Sequence, residues 1–409
     1  MSSHPSFPVA VLVRTLLLAV LAAAAMPVGM IARAQTGDFA AALRAAPPGA
    51  VIELPGGDWG ELKLGGADGP SVIRSADPAN PARFSGMNVN GARGLALEGL
   101  VLDYDWSEGD GLNMTPIGIW DSENVRMTGL RILGDTAGGT DPTSRGFASG
   151  VGITIRGSRD VTLENSEVTT FYRGILVRDS DRVTLRGNDI HSLRSDGINV
   201  VGTQGIRIIA NYIHDFARSI ESEDHADMIQ FWTTHAPRPT TDVVIRDNLL
   251  NSGAGYYTQS IFMRNDRVDQ GEAGREMYYQ NVVIEENVIV NAHAHGISTG
   301  ETAGLTIRGN TLVHNPAGVG PDRSPTHEVW VPRINVNDKS VDVTVENNIT
   351  SRVPDQRPGW RVRGNLIVQP HSRMETGHYT RVFAGIPGGD PADPASYAPR
   401  PGGPADRPG

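Results

Sequence analysis

The sequence predicts an all-β solenoid, in which stacked coils each contribute short strands joined by turns. Three observations carry that prediction. Apolar and polar residues alternate at period two in segment after segment, which is a strand pattern and not a helical one. The segments recur at steps of 22 or 23 residues, from Ser166 to Asn188, Asn188 to Asn211 and Asn287 to Asn310. A polar residue, usually asparagine, holds the same place in each copy: Ser166, Asn188, Asn211, Asn248, Asn287, Asn310, Asn348 and Asn365. A unit this short cannot bury its apolar edge alone, so copies must stack. Each buried amide then donates to and accepts from neighbours one rung away, about 4.8 Å off.

The elements follow in chain order. Arg14 precedes the apolar run "TLLLAVLAAAAM", and Ala32-Arg33-Ala34 places small residues where a signal peptidase cuts. Residues 1–34 are therefore expected to be an export signal, giving a secreted or periplasmic chain with no membrane anchor after cleavage. Residues 35–93 should form a cap, a short helix in "DFAAALRAA" and the first coils, which would cover strand edges otherwise left open. Residues 94–383 hold the repeat, with Leu100 and Leu130 extending the polar column upstream. Residues 384–409 are rich in Pro, Gly, Ala and Asp and are expected to be disordered.

Each asparagine segment is followed by a second strand, as in "RGILVRDS", "DGINVVGT", "ADMIQFWT", "QSIFMRND" and "HGISTGET". Aligning their central isoleucines, Ile153, Ile175, Ile198, Ile229, Ile261, Ile297 and Ile334, points those residues inward. The next residue along then points outward. That outward column reads Thr154, Leu176, Asn199, Gln230, Phe262, Ser298 and Asn335. The entrance column, two before the isoleucine, reads Val151, Arg173, Asp196, Asp227, Gln259, His295 and Pro332. Three rungs run long, at 37, 39 and 38 residues (Asn211 to Asn248, Asn248 to Asn287, Asn310 to Asn348). Their excess must leave the coil as loops, which would wall a groove over the outward face.

Composition narrows the function. A net charge of −10 argues against a general nucleic-acid binder. The absence of cysteine removes disulfides, thiolate metal sites and a cysteine nucleophile. What remains is a cluster at the strand entrance in "ESEDHADMIQFWTTH". Asp196 and Asp227 hold equivalent positions on consecutive coils, so their carboxylates could divide into acid and base or clamp a hard cation such as Ca²⁺. His225 and the pair His293 and His295 can move protons near neutral pH. Arg264 can pair with a carboxylate, and Trp232 offers a flat surface to a sugar ring. Asn199, Gln230, Gln259 and His293 are expected to contact substrate.

The repeat resembles the right-handed parallel β-helix of the pectate-lyase-like superfamily over roughly residues 94–370. The resemblance implies a single-stranded right-handed parallel β-helix with long loops over one face, acting on polysaccharide. Polygalacturonases of this fold carry signatures to which "SDGINV", "ADMIQF", "AHAHGIS" and "PRINV" are similar, in the same order. By that resemblance Asp196, Asp227, His295 and Arg333 match, whereas Ala226 and Asn335 depart from the pattern. "EDHAD" is similar in kind to the Asp/His cluster of alginate epimerases and lyases. The expectation is a monomeric enzyme that cleaves an acidic, uronate-containing polysaccharide by β-elimination. His225 would be the base, His295 the supporting acid, and Arg264 or a cation on Asp196 and Asp227 the carboxylate neutraliser. Hydrolysis through the Asp196/Asp227 pair, C5-epimerisation and glycan binding alone are the alternatives.

Overall fold

Strands with every second side chain apolar bury that edge by stacking in parallel, rung on rung, and the described strands of the three long sheets do so. A computed structural model describes residues 31–33, 39–66, 69–219, 221–255, 257–319, 331–369, 379–386 and 388–406. Three long sheets of 13, 10 and 12 strands run along the molecule, and within each the coils follow one another in sequence order. Every pairing in these three sheets is parallel; antiparallel pairing among the described residues is confined to Asp135–Thr136 with Ala148–Ser149 and an isolated bridge between Phe383 and Pro399. This is a parallel β-helix.

The asparagine column forms the internal row that its chemistry requires. Asn188 Nδ2 donates to Asn211 Oδ1 at 2.9 Å, and the pattern continues through Asn248, Asn287, Asn310 and Asn348 to Asn365. Each amide also donates to a strand carbonyl, and its oxygen accepts the backbone N–H of the preceding asparagine. No polar atom of the row is left unpaired, which is how polar side chains survive in an apolar interior. The central isoleucines from Ile153 to Ile334 are buried beside them. A second row had no forecast from the sequence: Ser122, Ser158 and Ser180 cap successive backbone N–H groups at another turn, and Thr203–Thr240 and Thr302–Ser340 repeat it. Where coils approach most closely only glycine fits, since a Cβ on Gly174 would lie 2.6 Å from the Gly197 carbonyl oxygen.

The N-terminal cap helix is as expected, and the C-terminal end differs from the sequence expectation. Of the export segment, only Ile31–Arg33 falls among the described residues, and it adds a strand to Val51–Glu53. The cap helix is Phe39–Ala45, with Phe39 packed edge-on to Phe84. Within residues 384–409, expected to be disordered, Tyr397 is instead buried, with Ile386 and Ala405 packed beside it, against Tyr379, Val382 and Phe383 just before the segment. Tyr379, Val382, Phe383 and Tyr397 cover Leu249, Val290, Val313 and Val368 on the outer face of the 12-stranded sheet. Composition hid this because a single buried tyrosine, Tyr397, packed against the apolar residues just before the segment, suffices to seat a Pro/Gly-rich strap.

Candidate active site

The ten-stranded sheet carries the site. Its register aligns Leu176, Asn199, Gln230, Phe262, Ser298 and Asn335 on consecutive rungs, so the outward column is as the alternation implied. Asp227 pairs with Gln259 at the entrance, but a bulge between His295 and Ile297 sets His295 opposite Arg333 and not Pro332. The loops around residues 232–240 and 264–278 meet in a small apolar cluster of Val201, Ala236 and Met277, with Trp232 packed against it. The third expected insertion lies largely outside the described residues. Two further loops, 104–116 and 134–150, reach the same side, where Asn113 Oδ1 accepts from Arg173 and Ser144 Oγ from Arg194.

Asp227 is fully buried. Its Oδ2 accepts from Gln230 Nε2 at 2.5 Å and faces His225 Nε2 at 3.3 Å, while its Oδ1 has no donor among the described residues. Burial is the main cause that pushes this carboxyl up to about 7; His225 opposes the rise and Asp196 adds to it. The hydrogen bond to Asp227 raises His225 in turn, against its own partial burial. Both shifts follow from taking a carboxylate out of water next to an imidazole.

Asp196 is saturated with donors. Its Oδ2 accepts from Arg173 Nε and Asn199 Nδ2, both at 3.0 Å, and its Oδ1 from Ser195 Oγ and the Asp227 N–H, both at 3.2 Å. Asn199 also donates to Gln230 Oε1 at 3.1 Å, which closes a network from Arg173 to His225. This donor set does not suit Ca²⁺. A guanidinium, the Asn199 amide, the Ser195 hydroxyl and the Asp227 backbone N–H already occupy the Asp196 oxygens a hard cation would need. Among the described residues no group of three or more acidic or imidazole side chains is arranged to hold a metal ion.

His293 and His295 stack at 5.1 Å, and His295 meets Phe262 edge-on at 5.1 Å. Burial, then its neighbour His295, holds His293 down to about 3; burial and then Arg333 lower His295. Both are therefore neutral. The backbone N–H of His295 donates to His293 Nδ1, so the ring proton of His293 sits on Nε2. Asn335 Nδ2 donates to Ser298 Oγ at 3.0 Å, and the same hydroxyl shares a 2.7 Å hydrogen bond with His295 Nδ1, leaving Nε2 as the ring nitrogen outside this bond.

A cleft of about 320 Å³ opens over this network, lined by Arg173, His225, Gln230, Trp232, Thr234, Gln259, Phe262, Arg264 and Asp266. Of the candidates, His225, Gln230, Trp232, Gln259 and Arg264 face it. Asp196, Asp227 and Asn199 stand behind the lining, and His293 and His295 lie beyond Phe262. Arg264 is not an uncommitted cation, since Asp266 and Asp269 each hold it at 3.3 Å. Arg173 was missed as a candidate. It lies 4.9 Å from the Tyr172 ring centroid and 5.6 Å from that of Trp232, and brings positive charge to the cleft. Its entry one coil before Asp196 in the entrance column was the available signal. Asp224 proves structural: its carboxylate accepts from the buried Arg194 at 3.1 Å and pins the loop before His225.

Comparison with known proteins places this architecture. No curated protein matches the sequence. Among solved structures, the Dettilon tailspike protein is similar at 11% identity and a TM-score of 0.47, covering 78% of this chain and 60% of its own. The chain thus spans about 60% of that protein's length. The surface adhesin PfbA of Streptococcus pneumoniae is similar at 14% identity and a TM-score of 0.41, covering 66% of this chain and 77% of its own. Pectate lyase Pel9A follows at 12% identity and 0.39, covering 80% of this chain and 73% of its own. The family described as "Right handed beta helix region" matches residues 115–348, more than half of the sequence. With its three parallel sheets and internal asparagine row, the chain belongs to the right-handed parallel β-helix family.

Proposed function

We propose that this chain is an exported, monomeric lyase that cleaves an acidic, uronate-containing polysaccharide by β-elimination in the cleft above His225. One observation carries the reading: both buried carboxylates stand behind the cleft lining, where Asp227 backs the His225 imidazole and Asp196 backs the Arg173 guanidinium. A hydrolase working through Asp196 and Asp227 would need those carboxyls in contact with the sugar or its water. Asp266 is the acid in the lining, and Arg264 already pairs with it.

The parts fit proton abstraction. With Asp227 Oδ2 accepting from Nε2–H, His225 keeps the Nδ1 lone pair as a base and is stabilised when it becomes imidazolium, the logic of a buried acid behind a histidine. Arg173 supports neutralisation of the uronate carboxylate, which makes the C5 proton removable. The C5–H electrons form the C4–C5 double bond as the C4–O4 bond breaks. The imidazolium proton is then available to the departing oxygen. The His295 ring, kept from charging by burial and by Arg333, suits a hydrogen bond to a sugar oxygen better than it suits proton transfer.

Incubation with a panel of uronate and neutral polysaccharides tests this. The expected product is an unsaturated uronate, seen by ultraviolet absorbance and by a product mass lacking added water. Saturated products, each gaining one water, would overturn the lyase reading, and binding without any product would leave a glycan-binding protein.

A further inference from the structure

The rings do not stop at the cleft. From Phe262 the row passes through His295 and His293 to Tyr257, whose ring centroid is 5.7 Å from that of His293. The Arg218 guanidinium lies 5.6 Å from the Tyr257 ring centroid. Tyr257 is 52% exposed, one of four large apolar side chains on the surface of the described residues. Its backbone sits at φ +58°, the left-handed conformation that non-glycine residues also adopt at other turns of the coils. His225 borders both regions. It lines the cleft, its charge reaches His293, and the charge of Arg218 reaches it in turn.

We infer that Tyr257 and Arg218 form a second subsite, for an acidic sugar residue of the same chain whose neighbour occupies the cleft. The inference rests on the acidic-polysaccharide reading above. An exposed aromatic ring presents the apolar, polarisable surface that the C–H face of a sugar covers. A guanidinium beside it supplies the charge that a uronate carboxylate requires and a neutral sugar does not. The row of rings, with His293 buried in its middle, ties Tyr257 rigidly to Phe262 in the cleft lining, so one extended chain can reach from the cleft to Tyr257. The bond broken would then lie between two occupied subsites.

Binding of oligogalacturonates and oligomannuronates, from dimer to octamer, is measured by calorimetry on the full chain. The proteins compared are wild type, Tyr257→Ala, Tyr257→Phe and Arg218→Gln, each with its thermal unfolding recorded. The expected result is a loss of about ten-fold in affinity for the longer oligomers in Tyr257→Ala, the scale of one aromatic contact. Tyr257→Phe should retain most of the affinity. Arg218→Gln should lose affinity for acidic oligomers while its unfolding temperature stays near that of wild type. If wild type binds these oligomers and Tyr257→Ala matches it at every length, the subsite is wrong and the cleft reading stands. If wild type binds none of them, the acidic-polysaccharide reading falls and takes the subsite with it.

Discussion

Replacing Asp227 by Asn should make the protein more stable and less active. Two groups meet Oδ2, namely Gln230 Nε2 at 2.5 Å and His225 Nε2 at 3.3 Å, whereas Oδ1 has no donor. An asparagine therefore fits with its oxygen at the Oδ2 place and its amide nitrogen where nothing donates. Geometry and imidazole tautomer survive, and only the charge is lost. Holding a carboxyl at about 7 in place of 3.8 costs the folded state roughly 4 kcal/mol at most, once the group must ionise. The folded chain binds this proton more tightly than the unfolded chain. Stability is thus fullest below 3.8 and declines as pH climbs to about 7. The raised His225 acts in the same sense, contributing below its ordinary 6.5 and losing that contribution as pH rises through its folded value. Urea unfolding of both proteins across pH should show Asp227→Asn ahead by about 1–4 kcal/mol at pH 8, with the gap closing in acid. Turnover should fall by about ten- to a hundred-fold, because an imidazolium formed on His225 is no longer stabilised. A variant less stable than wild type at pH 8 would refute the reasoning, since Asp227 would then be held by a net favourable ion pair.

Three further outcomes follow from the same geometry. His225→Ala should lower turnover by about 10²-fold or more with little change in unfolding temperature, because the ring is half exposed; near-normal turnover would retire it as the base. Arg173→Gln should weaken binding of acidic oligosaccharides by about ten-fold and leave neutral ones unaffected; equal losses on both would mean that Arg173 only supports the fold through Asp196. Asn248→Ala removes four hydrogen bonds, to Ile208 O, Asn287 Oδ1, Asn211 N and Asn211 Nδ2, and should cost about 2–4 kcal/mol in denaturant unfolding. A cost no larger than that of a surface asparagine would mean the row contributes nothing.

By itself the sequence determined the solenoid, the inward isoleucines, the asparagine row and the outward column through Asn199, Gln230 and Phe262. These were legible because strand alternation and a stacked repeat are local rules: residue identity at a repeat position states which way it faces, and the next copy states its neighbour. Tertiary structure decided what each polar group at the strand entrance does. His225 and Asp227 were picked out as a pair, yet their division of labour, imidazole in the cleft and carboxylate behind it, depends on burial. Asp224 and Asp227 flank His225 almost symmetrically in the chain, but one meets the buried Arg194 and the other meets the imidazole. Arg264 and Arg173 could not be told apart by composition, because what matters is whether acids from the same loop or a buried acid from the next coil reach them. The packed C-terminal strap escaped notice for the same reason. Its few apolar residues gain meaning only from the sheet face they cover. Repeat position is written in the sequence; exposure, charge pairing and loop contact arise when distant segments meet, and those are what turn a polar residue into a base, an anchor or a bystander.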